Sequence, residues 1–136
     1  MIQDYFVLNK FVKKNNLVYY ITMDLITVNL KEDMTPVDIA ICNMELEIEL
    51  AKISGVKAIK FIHGYGSSGV GGLICKEVRT RIMSLKKQRI IKDYIFGEDW
   101  DINNPKCFKI LTTLKDGYDG EDLNHSNAGM TIVIVK

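Results

Sequence analysis

Few folds accommodate an apolar strand that runs into a glycine cluster and then into a cationic helix. Residues 56–62 read as such a strand, and His63 stands at its end. Gly64, Gly66, Gly69, Gly71 and Gly72 follow within nine residues. A helical apolar period then runs over residues 70–87, with Leu73, Ile74, Val78, Ile82 and Leu85 expected on the inward face. A strand followed by a helix and another strand implies a right-handed crossover between parallel strands. The same corner gathers bare backbone N–H groups at a helix N-terminus, where unpaired donors and partial positive charge favour anions.

The flanking segments extend the alternation. Residues 25–30 read as a strand that leads into Thr35-Pro36, an N-cap and first-turn pair. The helix that follows carries Ile39, Cys42, Leu46, Leu50 and Ile53 at helical spacing, has a wet acidic stripe in Glu45, Glu47 and Glu49, and stops at Ser54-Gly55. Residues 89–96 predict a third strand. Asn104-Pro105 opens a short helix over 105–115, and residues 130–135 predict a closing strand. Ahead of all this, residues 4–12 and 17–30 are rich in strand formers around Lys13-Lys14-Asn15-Asn16, which predicts a leading hairpin. The expected fold is an α/β two-layer sandwich. It has a four-stranded, mostly parallel mixed sheet, two main helices, an N-terminal hairpin and a short helix inserted before the last strand.

The 136 residues suit one domain, and the 47% apolar content suits a packed core. No apolar run reaches the roughly 18–20 residues that span a bilayer, and the start lacks a secretory leader pattern, so no membrane partner and a cytoplasmic location are expected. Cys42, Cys75 and Cys107 are too scattered for a disulfide framework or a zinc site. The net charge of +1 hides a strong asymmetry. Residues 57–92 hold nine Lys and Arg against Glu77 alone, whereas residues 93–129 balance to −5. A polyanion would meet the middle of this chain.

The residues expected to meet phosphate are Lys60, Gly64, Tyr65, Gly66, Gly69, Gly71, Gly72, Lys76 and Arg79, with His63 as the one acid–base group. Gly64-x-Gly66-x-x-Gly69 matches a dinucleotide fingerprint by letters. The acid at the end of the next strand and the strands of a two-lobed cofactor fold are missing. The acidic run Asp119-Gly120-Glu121-Asp122 does not follow the calcium-loop order. No cofactor is expected and no metal is assigned.

Residues 28–136 resemble an Smr domain, the small MutS-related domain. The resemblance rests on Ile62-His63-Gly64-Tyr65-Gly66 after an apolar strand, on Gly72-Leu73 opening a basic helix, and on Gly129-Met130-Thr131-Ile132-Val133 near the end. Residues 1–27 form an extension and residues 97–128 an insertion relative to it. The resemblance implies DNA or RNA binding, nicking or cleavage in some members, and roles in DNA repair or ribosome rescue. The family's other motif, Asp-Leu-His-Gly, falls where this chain has Asn29-Leu30-Lys31-Glu32, so Asn29, Lys31 and Glu32 are secondary site candidates. Three readings therefore stand. The first is phosphate-backbone binding to DNA or RNA, with weak or no endonuclease activity and the ribosome as one partner. The second is an active nicking endonuclease, and the third is a small-nucleotide binder.

Overall fold

A computed structural model describes residues 10–14, 17–21, 24–65, 71–114 and 121–135. The expected Gly66 and Gly69 positions, Asn15 and Asn16 of the expected turn, and Asp119 and Gly120 of the acidic run lie outside the described residues. Strands β1 (Lys10–Lys14) and β2 (Leu17–Ile21) pair antiparallel as a two-stranded sheet, with Lys10 opposite Ile21. A hairpin forms as expected, but Lys13 and Lys14, expected in its turn, belong to β1 and pair with Val18 and Leu17.

The main sheet contains β3 (Leu25–Asn29), β4 (Ala58–Ile62), β5 (Asp93–Phe96) and β6 (Met130–Ile134) in the order β3-β4-β6-β5. β3 and β4 are parallel, and β6 lies antiparallel to both β4 and β5. Three strands thus run one way, and the last strand of the chain is threaded between two of them. Helix α1 (Val37–Ser54) follows β3, α2 (Gly71–Lys87) follows β4, and α3 (Pro105–Thr113) lies between β5 and β6.

Strand alternation divides the sheet into two faces. Ile26, Val28, Ile59, Phe61 and Val133 pack with α1 and α2 in one buried cluster. Leu25, Ala58, Ile95, Met130, Ile132 and Ile134 pack with Trp100, Cys107, Ile110 and Leu114 in a second. Trp100 and α3 therefore cover the face that the two main helices leave open.

Several local expectations shift. The buried face of α1 is Ala40, Met44, Glu47, Ile48 and Ala51, whereas Ile39, Cys42, Leu46 and Ile53 are exposed. The helix has two apolar stripes, and the one with small alanines lets its backbone approach the sheet. Glu47, read as part of a wet stripe, is buried, while Glu45 pairs with Arg81 and Glu49 with Lys52. Thr35 does not cap α1; its hydroxyl donates to the Glu32 carbonyl of the preceding 3₁₀ turn (Glu32–Met34). On α2, Leu73 is exposed while Ile74, Val78, Ile82 and Leu85 are buried. β5 starts at Asp93 because α2 closes through Arg89 at φ 61° and the Ile90 N–H returns to Leu85 O, which uses residues 88–92 as a turn. Asn104 caps α3 as expected, its Oδ1 accepting from Lys106 N–H at 2.9 Å.

Candidate functional site: the corner between β4 and α2

The corner is built on the Gly129 carbonyl. It accepts both the His63 and the Gly64 N–H, at 2.9 and 3.0 Å. Gly64 takes φ 73°, a left-handed turn that side chains resist, and so swings the chain out of the sheet. Gly129 is itself pressed close, since a Cβ there would lie 3.1 Å from the Tyr65 ring. Tyr65 ends outside, 63% exposed. The Gly64 N–H, expected to face a phosphate, is thus committed inside the fold.

His63 continues the inward parity of Ile59 and Phe61 and has no exposed surface. Its Nδ1 lies 2.7 Å from the Gly64 carbonyl and its Nε2 2.9 Å from Thr131 Oγ1. A carbonyl can only accept, so Nδ1 carries the proton and donates. Burial is the main reason that the ring's pKa falls from 6.5 to about 4, so it is neutral at pH 7 and Nε2 accepts from the Thr131 hydroxyl. The expected solvent-facing acid–base role is corrected here: both nitrogens are used internally, and the ring joins the end of β4 to β6.

The two expected phosphate cations nearest the corner are also engaged. Lys60 is buried on the other face of the sheet, with Nζ 2.5 Å from Asp122 Oδ2. Burial alone would raise the Asp122 carboxyl, but hydrogen bonds from Lys60 and Asn127 hold it below its ordinary value. Arg79 forks onto Glu98 at 2.8 and 2.5 Å, lies 4.3 Å over the Phe96 ring, and donates to Ala128 O at 3.0 Å. The hydrogen bonds from Arg79 keep Glu98 ionised well below its usual range. Lys60 and Arg79 thus tie the insertion to the core, and neither offers its charge outward.

Lys76 remains, exposed on α2 and without an ion-pair partner among the described residues. Gly71 and Gly72 form the first turn of α2. Asn29 lies opposite Ile62 in the parallel register, and Leu30 N–H bonds to Ile62 O, so the end of β3 adjoins the corner. Asn29 Oδ1 accepts from Lys31 N–H at 3.0 Å, and both Lys31 and Glu32 are exposed.

No protein-family model matches the sequence. No curated protein matches it. Among solved structures, the chain is similar to the Smr domain of Thermus thermophilus MutS2, at 15% identity and a TM-score of 0.49, over 81% of this chain and 96% of that domain. At that score, residue roles follow from this chain's own geometry.

Asn124, His125, Ser126 and Asn127, residue types that suit a turn, add a further feature to the corner. Tyr65, Asp122, His125, Ser126, Asn127 and Ala128 line an open hollow of about 410 Å³. Asn124 and Ser126 both adopt positive φ, 65° and 50°, on either side of exposed His125. Asn127 pins the loop, donating to Asp122 Oδ1 at 3.0 Å and accepting from Gly129 N–H at 2.9 Å. Two non-glycine residues in this conformation were a signal that composition could not carry. Among the described residues, no group of three or more His, Cys, Asp and Glu side chains could hold a metal ion.

Proposed function

We propose that this protein binds DNA or RNA through its phosphate backbone at the corner between β4 and α2, with Tyr65 as the stacking platform. The observation that carries this reading is the exposed Tyr65 ring on the rim of the 410 Å³ hollow, whose lining residue Ala128 has its carbonyl oxygen 4.0 Å from Cys75 Sγ in the N-terminal part of α2. An exposed aromatic ring stacks on any base, and a helix N-terminus favours a phosphate next to it. Lys76 supplies one outward charge, and Gly71 and Gly72 in the first turn of α2 supply close backbone approach. His63 shapes the corner and does not react, which favours binding over nicking. Sequence preference is weak in this reading, because the contacts address sugar, phosphate and ring faces.

The test is fluorescence anisotropy with labelled single-stranded DNA and RNA over a range of salt. Saturable binding that weakens with salt is expected, and Tyr65→Ala is expected to weaken it about tenfold, as for one stacked base. Unchanged affinity in Tyr65→Ala would overturn the corner as the site. A nicking assay separates the enzymatic reading: no cutting by the wild type is expected, and cutting by the wild type would favour the endonuclease reading instead.

The hollow also supports a second reading, a small-nucleotide site, because its volume falls in the range of small-molecule pockets. A thermal-shift screen with mononucleotides tests it, and no shift would retire it.

A further inference from the structure

The basic block of the sequence does not gather at the corner. Lys60, Arg79 and Arg81 are each tied to a carboxylate, and the outward positive charge collects at the opposite end of the sheet. There Lys57, just before β4, and Lys92, just before β5, meet Lys106 and Lys109 of α3 around a hollow of about 170 Å³. Ile110, Leu114 and Ile134 contribute its apolar lining, and Asp93 is the one carboxylate in the lining among the described residues. The Asp93 Oδ1 atom lies 2.8 Å from both Lys86 Nζ and Lys106 Nζ. Those same two ammonium groups stand 5.6 and 4.9 Å from the Tyr94 ring centroid, so Asp93 and Tyr94 together hold them at the rim. Lys57 Nζ reaches Asp24 at 3.4 Å. Lys92 and Lys109 have no ion-pair partner among the described residues.

Among the described residues, five ammonium groups from four segments thus face two carboxylates, Asp93 and Asp24. Like charges held this close repel one another, and an anion seated among them relieves that repulsion. Lysine is a point-charge phosphate binder, without the flat fork that selects planar carboxylates. The hollow is about six water volumes in size, which admits a phosphate group while the rest of a chain follows the rim. We propose that this lysine-lined hollow is an anion site for a chain of linked phosphates, separate from the corner and at the N-terminal ends of β4 and β5. Two of its lysines, Lys106 and Lys109, come from the acidic half of the sequence, so only the fold assembles it.

The test uses the whole chain and inorganic tripolyphosphate, followed by titration calorimetry and by amide chemical shifts. One saturable event is expected, with shifts at Lys57, Lys92, Ile110, Thr113 and Ile134. The double variant Lys92→Glu with Lys109→Glu changes two exposed side chains, and its affinity is expected to fall about tenfold or more at about 50 mM salt. Asp93→Asn is expected to bind a few-fold tighter, because it removes the lining carboxylate and releases Lys86 and Lys106. A purely structural role for Asp93 would not raise affinity. Absence of saturable binding, shifts confined to Tyr65 and residues 121–128, or unchanged affinity in the double lysine variant would each overturn the proposal. The corner reading fails on a different result, the Tyr65→Ala measurement, so the two are separable.

Discussion

His63 Nε2 and Thr131 Oγ1 lie 2.9 Å apart, a direct hydrogen bond between two fully buried residues. The hydroxyl is the donor in this pair, so its loss leaves a buried ring nitrogen without a partner. Thr131→Val keeps the shape and removes only that donor. It is expected to destabilise the protein by about 1–3 kcal/mol in urea unfolding, with the slope unchanged. Thr131→Ser keeps the hydroxyl and is expected to cost less. Equal losses in the two variants would assign the effect to packing.

The same ring sets a pH window. Its folded pKa is about 4 against 6.5 for the free side chain. Above pH 6.5 both folded and unfolded states are neutral and the ring contributes no pH dependence. As pH falls from 6.5 to 4, the unfolded chain takes up a proton that the folded chain refuses, so stability declines, by up to about 3 kcal/mol. His63→Gln is expected to flatten stability over that window in denaturation curves taken across pH. The carboxylates Asp93, Glu98 and Asp122 are held below their ordinary values of 3.8, 4.5 and 3.8, so their contribution is present above those values and is lost lower, as pH falls through the depressed ones. A decline that begins only below pH 4 would show that the ring does not contribute.

Lys60 and Asp122 form the most enclosed ion pair among the described residues, with side chains 7% and 17% exposed. Removing one member leaves the other charge poorly hydrated. Asp122→Ala is expected to cost about 3 kcal/mol or more in unfolding free energy. Adding Lys60→Met is expected to recover much of that, because a methionine fills the stem's space without a charge. If the double variant were no more stable than Asp122→Ala, the stranded ammonium would not be the cause.

Gly97 sits where the insertion leaves β5. A Cβ there would lie 1.8 Å from Asn127 O and 2.9 Å from Met130 O, and neither backbone oxygen can rotate away. Gly97→Ala is expected to cost about 3 kcal/mol or to prevent folding, as severe overpacking does. Thermal unfolding by circular dichroism measures it, and a melting point near wild type would show that the 127–130 segment yields easily.

The alternation of strand and helix, the Asn104 cap, the Gly55 stop and the inward residues Ile74, Val78, Ile82 and Leu85 were all legible in the sequence, because each depends on neighbours within a few residues. The face of α1 was not, since two apolar stripes compete along it and only the sheet selects between them. The inward position of His63 was not read from the sequence either, since it is fixed by Thr131, which lies 68 residues away. The same holds for charge. Composition determined that cations crowd residues 57–92. Only the tertiary structure decided that Lys60 and Arg79 would be neutralised by Asp122 and Glu98 from the acidic insertion, and that Lys57 and Lys92 would join Lys106 and Lys109 at the far end of the sheet. Periodicity and capping act along the chain. Electrostatic pairing acts through space, and β6, threaded last between β4 and β5, determines which charges come within reach of one another.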